Sequence, residues 1–268
     1  MPRSRRLAAC LWLAGAVMTL SAGGSAPNVR WRPLQPGVEL ATIALSPEAN
    51  LYVVRIDTNR AALHVALASE LGTGAQTAAQ WCRTAGLSVA INAGMFQSDE
   101  RSNVGYLRHG QHLNNARFND YRSVLALYPA ANSKPRLLWS DLDRGRPNLD
   151  DYSIVIQNLR LIAGDRRNVW SPSVRRWSEA ALALDGKGRL LFLFCRSPYS
   201  MREFNDLILG LPLDVTRAMH LEGGPEASLS IHVPGLDLDL CGSYETGFRE
   251  DDTNLRQWPI PNVLGVAR

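Results

Sequence analysis

The sequence predicts one mixed α/β domain of the α+β type, with a largely antiparallel or mixed twisted sheet flanked by helices and an active cleft at the strand ends. Three observations lead to this prediction. Short apolar runs with strand character recur, two segments carry helix-capping signals, and two strand-like runs end in glycine turns with a polar or acidic corner residue. Because neither a repeat nor a linker is found, residues 27–268 are predicted to form a single domain.

Residues 1–26 are predicted to be a cleaved export signal. Three arginines lie before an apolar run from Leu7 to Leu20, which is short for a bilayer span, and small polar residues follow it. We therefore expect a periplasmic or secreted protein, with an uncleaved N-terminal membrane anchor as the alternative. Cys10 lies near the start of the apolar run, so lipidation is not expected.

Strands dominate the predicted elements of the first half of the chain. A helix is expected from the capping residue Thr77 to about Ala85, and the apolar run after it predicts a buried strand that ends at Asn92. A hairpin is expected across His109 and Gly110. The other predicted strands cover residues 38–45, 51–56 and 62–68, which are expected to form an antiparallel meander, and residues 123–128 and 153–157.

The second half opens with the strongest hairpin signal, in which the turn Asp185–Gly188 joins two apolar runs. Ser200 and Glu203 form a capping box before an amphipathic helix. The further predicted elements are strands at 215–221 and 229–233, a long loop or cleft rim at 242–258, and a closing strand at 259–266.

Composition indicates an ordinary globular protein, with 46% hydrophobic and 20% charged residues. Loss of the three arginines of the signal would leave 26 basic and 25 acidic residues, so nothing suggests a nucleic-acid partner. No metal or cofactor is predicted, because the five histidines lack the spacing of a metal motif. The remaining cysteines, Cys82, Cys195 and Cys241, allow one disulfide and one free thiol without indicating which pair would form.

A series of motifs in a fixed order carries a family resemblance. They are Ile91–Phe96, Asn103–Leu107 with Gly110, the segment of Gln157, Arg176 leading into the strand at 180–184, and Leu221–Gly224. Together they resemble the phosphodiester glycosidase family over about residues 50–266. That family includes bacterial envelope proteins and the lysosomal uncovering enzyme that removes N-acetylglucosamine from a sugar phosphodiester. The resemblance implies a mixed α/β fold with a cleft, and hydrolysis of the bond between the anomeric carbon of a sugar and a phosphate.

Glu222 is the principal candidate for catalysis. Such hydrolysis needs a carboxylate to activate water or to attack the anomeric carbon, and Glu222 ends a strand beside Gly223 and Gly224, which let a ligand approach the backbone. The family usually has Asp here, so the carboxyl group is displaced by about one methylene. Glu226 is either a second carboxylate or a solvated side chain.

Asn92 is the second catalytic candidate, because its amide can orient a sugar hydroxyl or the attacking water. The alternative is a buried amide that fixes the following turn. Gly94, Asn103, Gly105 and Gln157 are predicted to bind substrate, with loop shaping or a core amide as the alternatives.

Arg176 is the predicted phosphate-binding fork, although Arg175 beside it could serve instead. Glu179 could pair with Arg176 or act as an acid, or could be a solvated charge at the strand edge. His220 is either an acid-base partner of Glu222 or a structural residue. Gly223, Gly224 and Ser228 complete the predicted substrate-binding residues.

The predicted function is that of an exported hydrolase that cleaves a sugar-phosphate diester in envelope or exported polysaccharide metabolism. The alternative is a non-catalytic carbohydrate-binding or exopolysaccharide-assembly protein of the same fold, since the Asp-to-Glu departure could reflect lost catalysis. A general serine or cysteine hydrolase is disfavoured, because no Gly-x-Ser-x-Gly turn occurs and Cys195 ends an apolar strand.

Overall fold

The computed structural model describes residues 29–130 and 136–268, so the predicted signal segment lies outside the described residues. Strands make up 49% of the structure and helical turns 11%. Three helices occur in the described part: α1 (Ala68–Leu71), α2 (Ala78–Thr84) and α3 (Met201–Gly210). The strands are β1 (Arg32–Gln35), β2 (Val38–Ser46), β3 (Ala49–Ile56), β4 (Leu63–Leu67), β5 (Leu87–Asn92), β6 (Leu107–His109), β7 (His112–Asn115), β8 (Ser123–Pro129), β9 (Leu137–Asp141), β10 (Tyr152–Asn158), β11 (Arg160–Ala163), β12 (Arg167–Asn168), β13 (Trp177–Asp185), β14 (Leu190–Tyr199), β15 (Val215–Gly223), β16 (Ser228–Val233), β17 (Leu236–Cys241) and β18 (Asn262–Ala267).

These strands form three antiparallel sheets. The first has the order β1-β2-β3-β14-β13-β15-β11-β12, the second β7-β6-β10-β8-β9, and the third β17-β16-β5-β18-β4. The predicted meander is therefore only half present: β2 and β3 pair, whereas β4 leaves them and pairs with β18 at the edge of the third sheet.

All three sheets contribute to one central core. Phe192 and Leu221 come from the first sheet, Leu125 and Ile156 from the second, and Ile91 from the third, and each is buried. Burial of this shared apolar surface holds the sheets together. It also brings the ends of strands from different sheets to one place.

Both predicted helices form where their capping signals indicate. The Thr77 hydroxyl accepts a hydrogen bond from Gln80 N before α2, and the Ser200 hydroxyl accepts one from Glu203 N before α3. The buried side of α2 packs against the third sheet, and that of α3 against the first sheet on the face opposite the central core.

The predicted fold class is wrong. The protein is built mostly of β-strands in three antiparallel sheets, not as a mixed α/β sheet flanked by helices. The prediction missed β1, β9, β11 and β12, which are short, and β17, although its residues alternate between Leu and Asp. It also merged strands of separate sheets, because periodicity does not say which strands pair.

Two further features bear on the predictions. None of the helices within residues 29–130 and 136–268 is long and apolar enough to cross a membrane. All three described cysteines are free thiols, with Cys82 and Cys195 buried. Burial raises the pKa of both of these thiols to about 12.

Candidate functional site

The candidate site lies where the ends of three strands, one from each sheet, come together. Asn158, at the end of β10, donates a hydrogen bond from Nδ2 to the carbonyl of Ala93, just beyond β5, over 2.9 Å. The backbone N–H of His220 in β15 donates to the carbonyl of Leu159, also over 2.9 Å. These bonds connect the three sheets immediately beside Glu222.

Glu222 is the last residue but one of β15. It follows an irregularity in the pairing of β15 with β13. Ala180 is opposite Glu222 while Ala181 is opposite His220, so Leu221 is an extra residue, as in a β-bulge. The Glu222 carboxyl is partly buried, and its Oε1 accepts a hydrogen bond from the N–H of Gly223 over 3.1 Å.

Three carboxyl groups influence one another here, and we call Glu222, Glu226 and Glu245 the carboxylate cluster. The pKa of Glu222 is raised to about 8. Burial is the largest cause, the charges of Glu226 and Glu245 add to the shift, and His220 opposes it. Burial likewise raises the pKa of Glu226 to about 7, with Glu245 adding to the effect. The pKa of Glu245 is also raised by burial, while His220 and Arg175 oppose that shift.

Glycines let these groups come close together. Gly224 has a φ of +61°, and a Cβ there would lie 2.5 Å from Oε2 of Glu245. A Cβ at Gly223 would lie 2.8 Å from the ring of Trp177. Larger residues at either position would displace a side chain of the site.

A buried ion pair lies beneath the cluster. Nδ1 of His220 is 2.6 Å from Oε1 of Glu179, and the indole N–H of Trp177 donates to Oε2 of Glu179 over 2.8 Å. Both side chains of the pair are almost fully buried. Burial by itself would lower the pKa of His220, but Glu179 outweighs it, with help from Glu222 and Glu245, so the pKa is raised.

Asn92 uses both ends of its amide on the turn that carries Glu226. Its Oδ1 accepts from the N–H of Ser228 over 2.8 Å, and its Nδ2 donates to the carbonyl of Glu226 over 3.0 Å. The Ser228 hydroxyl donates to the same carbonyl. Asn92 and Ser228 therefore hold Glu226 in position, and the predicted catalytic role of Asn92 stays a prediction.

Gln157 is buried and satisfies the backbone of a neighbouring loop. Its Oε1 accepts from the N–H groups of Tyr106 and Asn119, and its Nε2 donates to the carbonyls of Asn119 and Tyr121. A Cβ at Gly105 would lie 2.1 Å from the Gln157 carbonyl oxygen, so only glycine fits there. The loop held in this way carries Tyr121, whose pKa is raised by burial and by the charge of Glu222.

Asn103 and Asn158 flank Gly94. Nδ2 of Asn103 donates to the Gly105 carbonyl, and both Oδ1 atoms are buried without a hydrogen-bond partner among the described residues. A Cβ at Gly94 would lie 2.5 Å from the Asn158 oxygen and 2.7 Å from the Asn103 oxygen. We call Asn92, Asn103, Gln157 and Asn158 the amide network.

Arg176 pairs through its backbone with Thr246, next to Glu245, and through its side chain with α3. Its guanidinium is 2.5 Å from Glu203 of α3, and it lines a cavity of about 740 Å³ together with Arg196 and Tyr244. Arg175 is the residue whose charge acts on Glu245.

The structure thus brings Glu222, Glu179, Gly223 and Gly224 together and places the predicted amide residues around them as supports. Sequence reasoning missed Glu245, Asn158 and Tyr121 as members of the site. Only the position of Glu245 within the predicted cleft rim at 242–258 gave a signal. In the described part of the chain, no group of three or more His, Cys, Asp or Glu side chains could hold a metal ion.

Partly buried carboxyl groups with pKa values near neutrality can both donate and accept protons, as general acid-base catalysis requires. The buried imidazole beneath them adds positive charge when it is protonated. Such a site can bind an anion beside groups that exchange protons with water.

Comparison with solved structures shows a shared fold. The catalytic domain of zebrafish N-acetylglucosamine-1-phosphodiester alpha-N-acetylglucosaminidase, auto-inhibited by its pro-peptide, matches with a TM-score of 0.60 and 13% identity over 88% of this chain and 83% of that chain. A hypothetical protein from Synechocystis matches with a TM-score of 0.58 and 13% identity, over 88% of this chain and 64% of that one.

Sequence comparison gives two further results. No curated protein sequence matches this chain. The family model described as phosphodiester glycosidase matches residues 85–267, a span that contains the whole carboxylate cluster and the whole amide network. The chain therefore belongs to the phosphodiester glycosidase family.

Proposed function

We propose that the protein is an exported hydrolase that cleaves the bond between a sugar and a phosphate in a glycosyl phosphodiester. Family membership supports the reaction class. The observation that carries the proposal is the carboxylate cluster, in which burial raises the pKa of Glu222 to about 8 and that of Glu226 to about 7.

The raised pKa values remove an electrostatic obstacle. A phosphodiester is an anion and would be repelled by three ionised carboxylates. Because Glu222 keeps its proton at pH 7, the cluster carries less negative charge than three ordinary glutamates would. The pKa of His220 is raised, and its imidazole adds a positive charge beneath the cluster when it is protonated.

Within this proposal, two carboxyl groups of the cluster take different roles. The protonated Glu222 carboxyl donates a hydrogen bond to a phosphate oxygen of the substrate, and ionised Glu226 accepts a proton from water. The bond between the anomeric carbon and the bridging oxygen breaks, and the phosphate monoester leaves with the electron pair. The water oxygen forms the new bond to the anomeric carbon. Since a phosphate leaves readily, little acid assistance is needed.

This assignment changes the role of Glu222 from the water-activating carboxylate expected from the sequence to a donor. The extra methylene of Glu relative to Asp lets the carboxyl group reach further from the strand while Gly223 N–H still binds Oε1. Glu245 lies beside Gly224, and its charge contributes to the raised pKa of Glu222.

The test is release of free sugar from N-acetylglucosamine 1-(methyl phosphate), a probe chosen because the zebrafish relative is named for such a diester. We expect turnover by the wild type and a loss of about 1,000-fold in kcat for Glu226→Gln, which removes the group that accepts the proton from water. Glu222→Gln replaces a protonated carboxyl by a neutral amide that still donates a hydrogen bond, so its kcat should fall much less. Glu48→Gln, an exposed change of the same kind outside the cluster, should keep wild-type turnover. Equal kcat values for wild type and Glu226→Gln would contradict the proposal.

A non-catalytic carbohydrate-binding protein is the second candidate, favoured by the Glu at the usual Asp position. It predicts that the wild type binds the probe without releasing sugar. A thiol hydrolase receives no support from the structure, because the buried thiols of Cys82 and Cys195 have pKa values of about 12.

Export and a role in envelope or exported polysaccharide metabolism are part of the proposal and rest on the N-terminal segment. Expression of the full chain in a bacterial host should place the mature protein in the periplasm or medium, with its N-terminus near residue 27. Retention of residues 1–26 on a membrane-bound product would support the anchor alternative.

A further inference from the structure

A cavity of about 540 Å³ lies beside the carboxylate cluster, and its wall is basic. Two arginines and no carboxylate line it, and an indole ring forms part of its side. The lining residues are Arg122, Leu159, Arg160, Val169, Trp170 and Ser171–Ser173. This composition differs from that of the cluster, where every polar group that reacts is an acid.

Backbone bonds join this basic cavity to the strand that carries the reacting groups. The carbonyl of Leu159, on the cavity wall, accepts the N–H of His220, two residues before Glu222. At the opposite rim the Ser173 hydroxyl accepts the N–H of Arg175, whose charge acts on Glu245. Hydrogen bonds therefore join the cavity wall to two neighbours of the cluster, His220 and Arg175.

Arg122 is the exposed cation of this wall, and its charge helps to lower the pKa of the Asp143 carboxyl. Its side chain is exposed, and no ion pair or hydrogen bond of its guanidinium is found within residues 29–130 and 136–268. Arg160, by contrast, is paired with Asp143, and its carbonyl accepts the indole N–H of Trp170.

The backbone at Arg122 is fixed on both sides. Gln157 Nε2 donates to the Tyr121 carbonyl over 2.7 Å, and Leu142 N donates to the Arg122 carbonyl over 2.9 Å. Tyr121, directly before it, lies close enough to Glu222 to feel its charge. A guanidinium on such a pre-positioned segment can bind an anion with little loss of backbone freedom.

We propose that this basic cavity binds the phosphate-linked half of the substrate, with Arg122 holding the non-bridging phosphate oxygens and Trp170 contacting the group esterified to the phosphate. The inference rests on the proposed function and extends it, because it assigns the phosphate side of the scissile bond to one side of the cluster. The sugar then lies on the other side of Glu222. Arg122, rather than the predicted Arg176, supplies the phosphate-binding fork.

The first test compares Arg122→Gln with the wild type on N-acetylglucosamine 1-(methyl phosphate). We expect KM to rise about tenfold with kcat changed less than twofold, because the lost contact is present before and during the reaction. Arg83→Gln makes the same charge change on α2, at a different cavity, and should leave both constants unchanged. An unchanged KM for Arg122→Gln would overturn the inference.

A binding experiment separates this inference from the proposed function. In the Glu226→Gln background, calorimetric titration with the same probe should give a Kd about tenfold weaker when Arg122→Gln is added, and Arg83→Gln should not change it. If no variant turns over but Arg122→Gln still weakens binding, the hydrolase proposal fails and the phosphate site stands. If the wild type turns over but Arg122→Gln changes neither KM nor Kd, the phosphate site fails alone.

Discussion

The carboxylate cluster and the amide network lie at the same strand ends but satisfy their polar groups in opposite ways. Every amide of the network donates from its NH₂ group to a backbone carbonyl. In the cluster, the Glu222 carboxyl has a single backbone donor, its pKa is raised by burial and by the charges of Glu226 and Glu245, and that of Glu226 is raised by burial and by Glu245. The NH₂ groups of the network are bound by the fold and support the site, although the Oδ1 atoms of Asn103 and Asn158 have no partner among the described residues. The carboxyl groups of the cluster lie in an environment that disfavours their charge, which suits them for proton transfer.

This contrast separates residues that position the site from residues that we propose to react, across the motifs of the family. Asn92 and Ser228 hold the turn that presents Glu226, and Gln157 holds the loop that presents Tyr121 and Arg122. Substitutions in the network should therefore lower the free energy of unfolding, whereas those in the cluster should lower activity without that cost. Three substitutions and one pH measurement test the contrast.

The largest effect on stability is expected at the pair beneath the cluster, in Glu179→Gln. Removing one partner leaves the buried His220 without its counter-charge, which should lower the free energy of unfolding by about 3 kcal/mol at pH 6. The raised pKa of His220 means that this contribution is complete below pH 6.5 and fades as pH rises through the folded-state pKa. Urea unfolding at pH 6 and pH 9 measures it, and an equal loss at both values would contradict a charged pair.

Gln157→Ala should be the next most costly change. It removes four hydrogen bonds to backbone groups of a buried loop, for an expected loss of about 2 kcal/mol. Gln111→Ala, at an exposed position, provides the matched control. Because the loop carries Arg122, KM for the phosphodiester should rise as well. A fully stable Gln157→Ala variant would mean that the loop holds its shape without the amide.

Gly94→Ala tests the tight contact with the two amide oxygens. The added Cβ would lie within 2.7 Å of Asn103 and Asn158, whose Nδ2 groups are already bonded, so a loss of about 1.5 kcal/mol is expected. Gly74→Ala meets nothing within 4 Å and should be neutral. Thermal unfolding of both variants measures the effect. Equal midpoints for Gly94→Ala and Gly74→Ala would contradict the prediction and show that the amide side chains of Asn103 and Asn158 can move away.

Local signals predicted the elements that present the site, and long-range contacts decided the rest. The capping boxes at Thr77 and Ser200, the buried strand ending at Asn92, and the hairpin at Asp185–Gly188 all depend on neighbouring residues, and each is confirmed. The pairing of β4 with β18 joins residues about 200 positions apart, so no window of sequence discloses it.

The same distinction between local signals and long-range contacts explains which site residues the sequence predicted. Glu222 was found because a strand and two glycines mark it, whereas Glu245 lies in a segment without periodicity and reaches the cluster only through Gly224. Arg175 and Arg176 are equivalent in sequence, and only the fold directs Arg176 to Glu203 and places Arg175 near Glu245. Arg122, which we propose binds the phosphate, belongs to none of the family motifs.

The central claim is that burial keeps Glu222 protonated at neutral pH. The smallest predicted effect tests this claim most directly. A pKa raised from 4.5 to about 8 means that the folded state binds more protons than the unfolded state between these values, so Glu222 lowers stability as pH rises through that window. The measurement is the free energy of unfolding of Glu222→Gln minus that of the wild type, from pH 4 to pH 9. We predict a difference that grows with pH in favour of the variant and reaches about 1 kcal/mol above pH 8, discounted because the carboxyl group is only partly buried. A difference that stays constant with pH, or that favours the wild type at pH 9, would contradict the account.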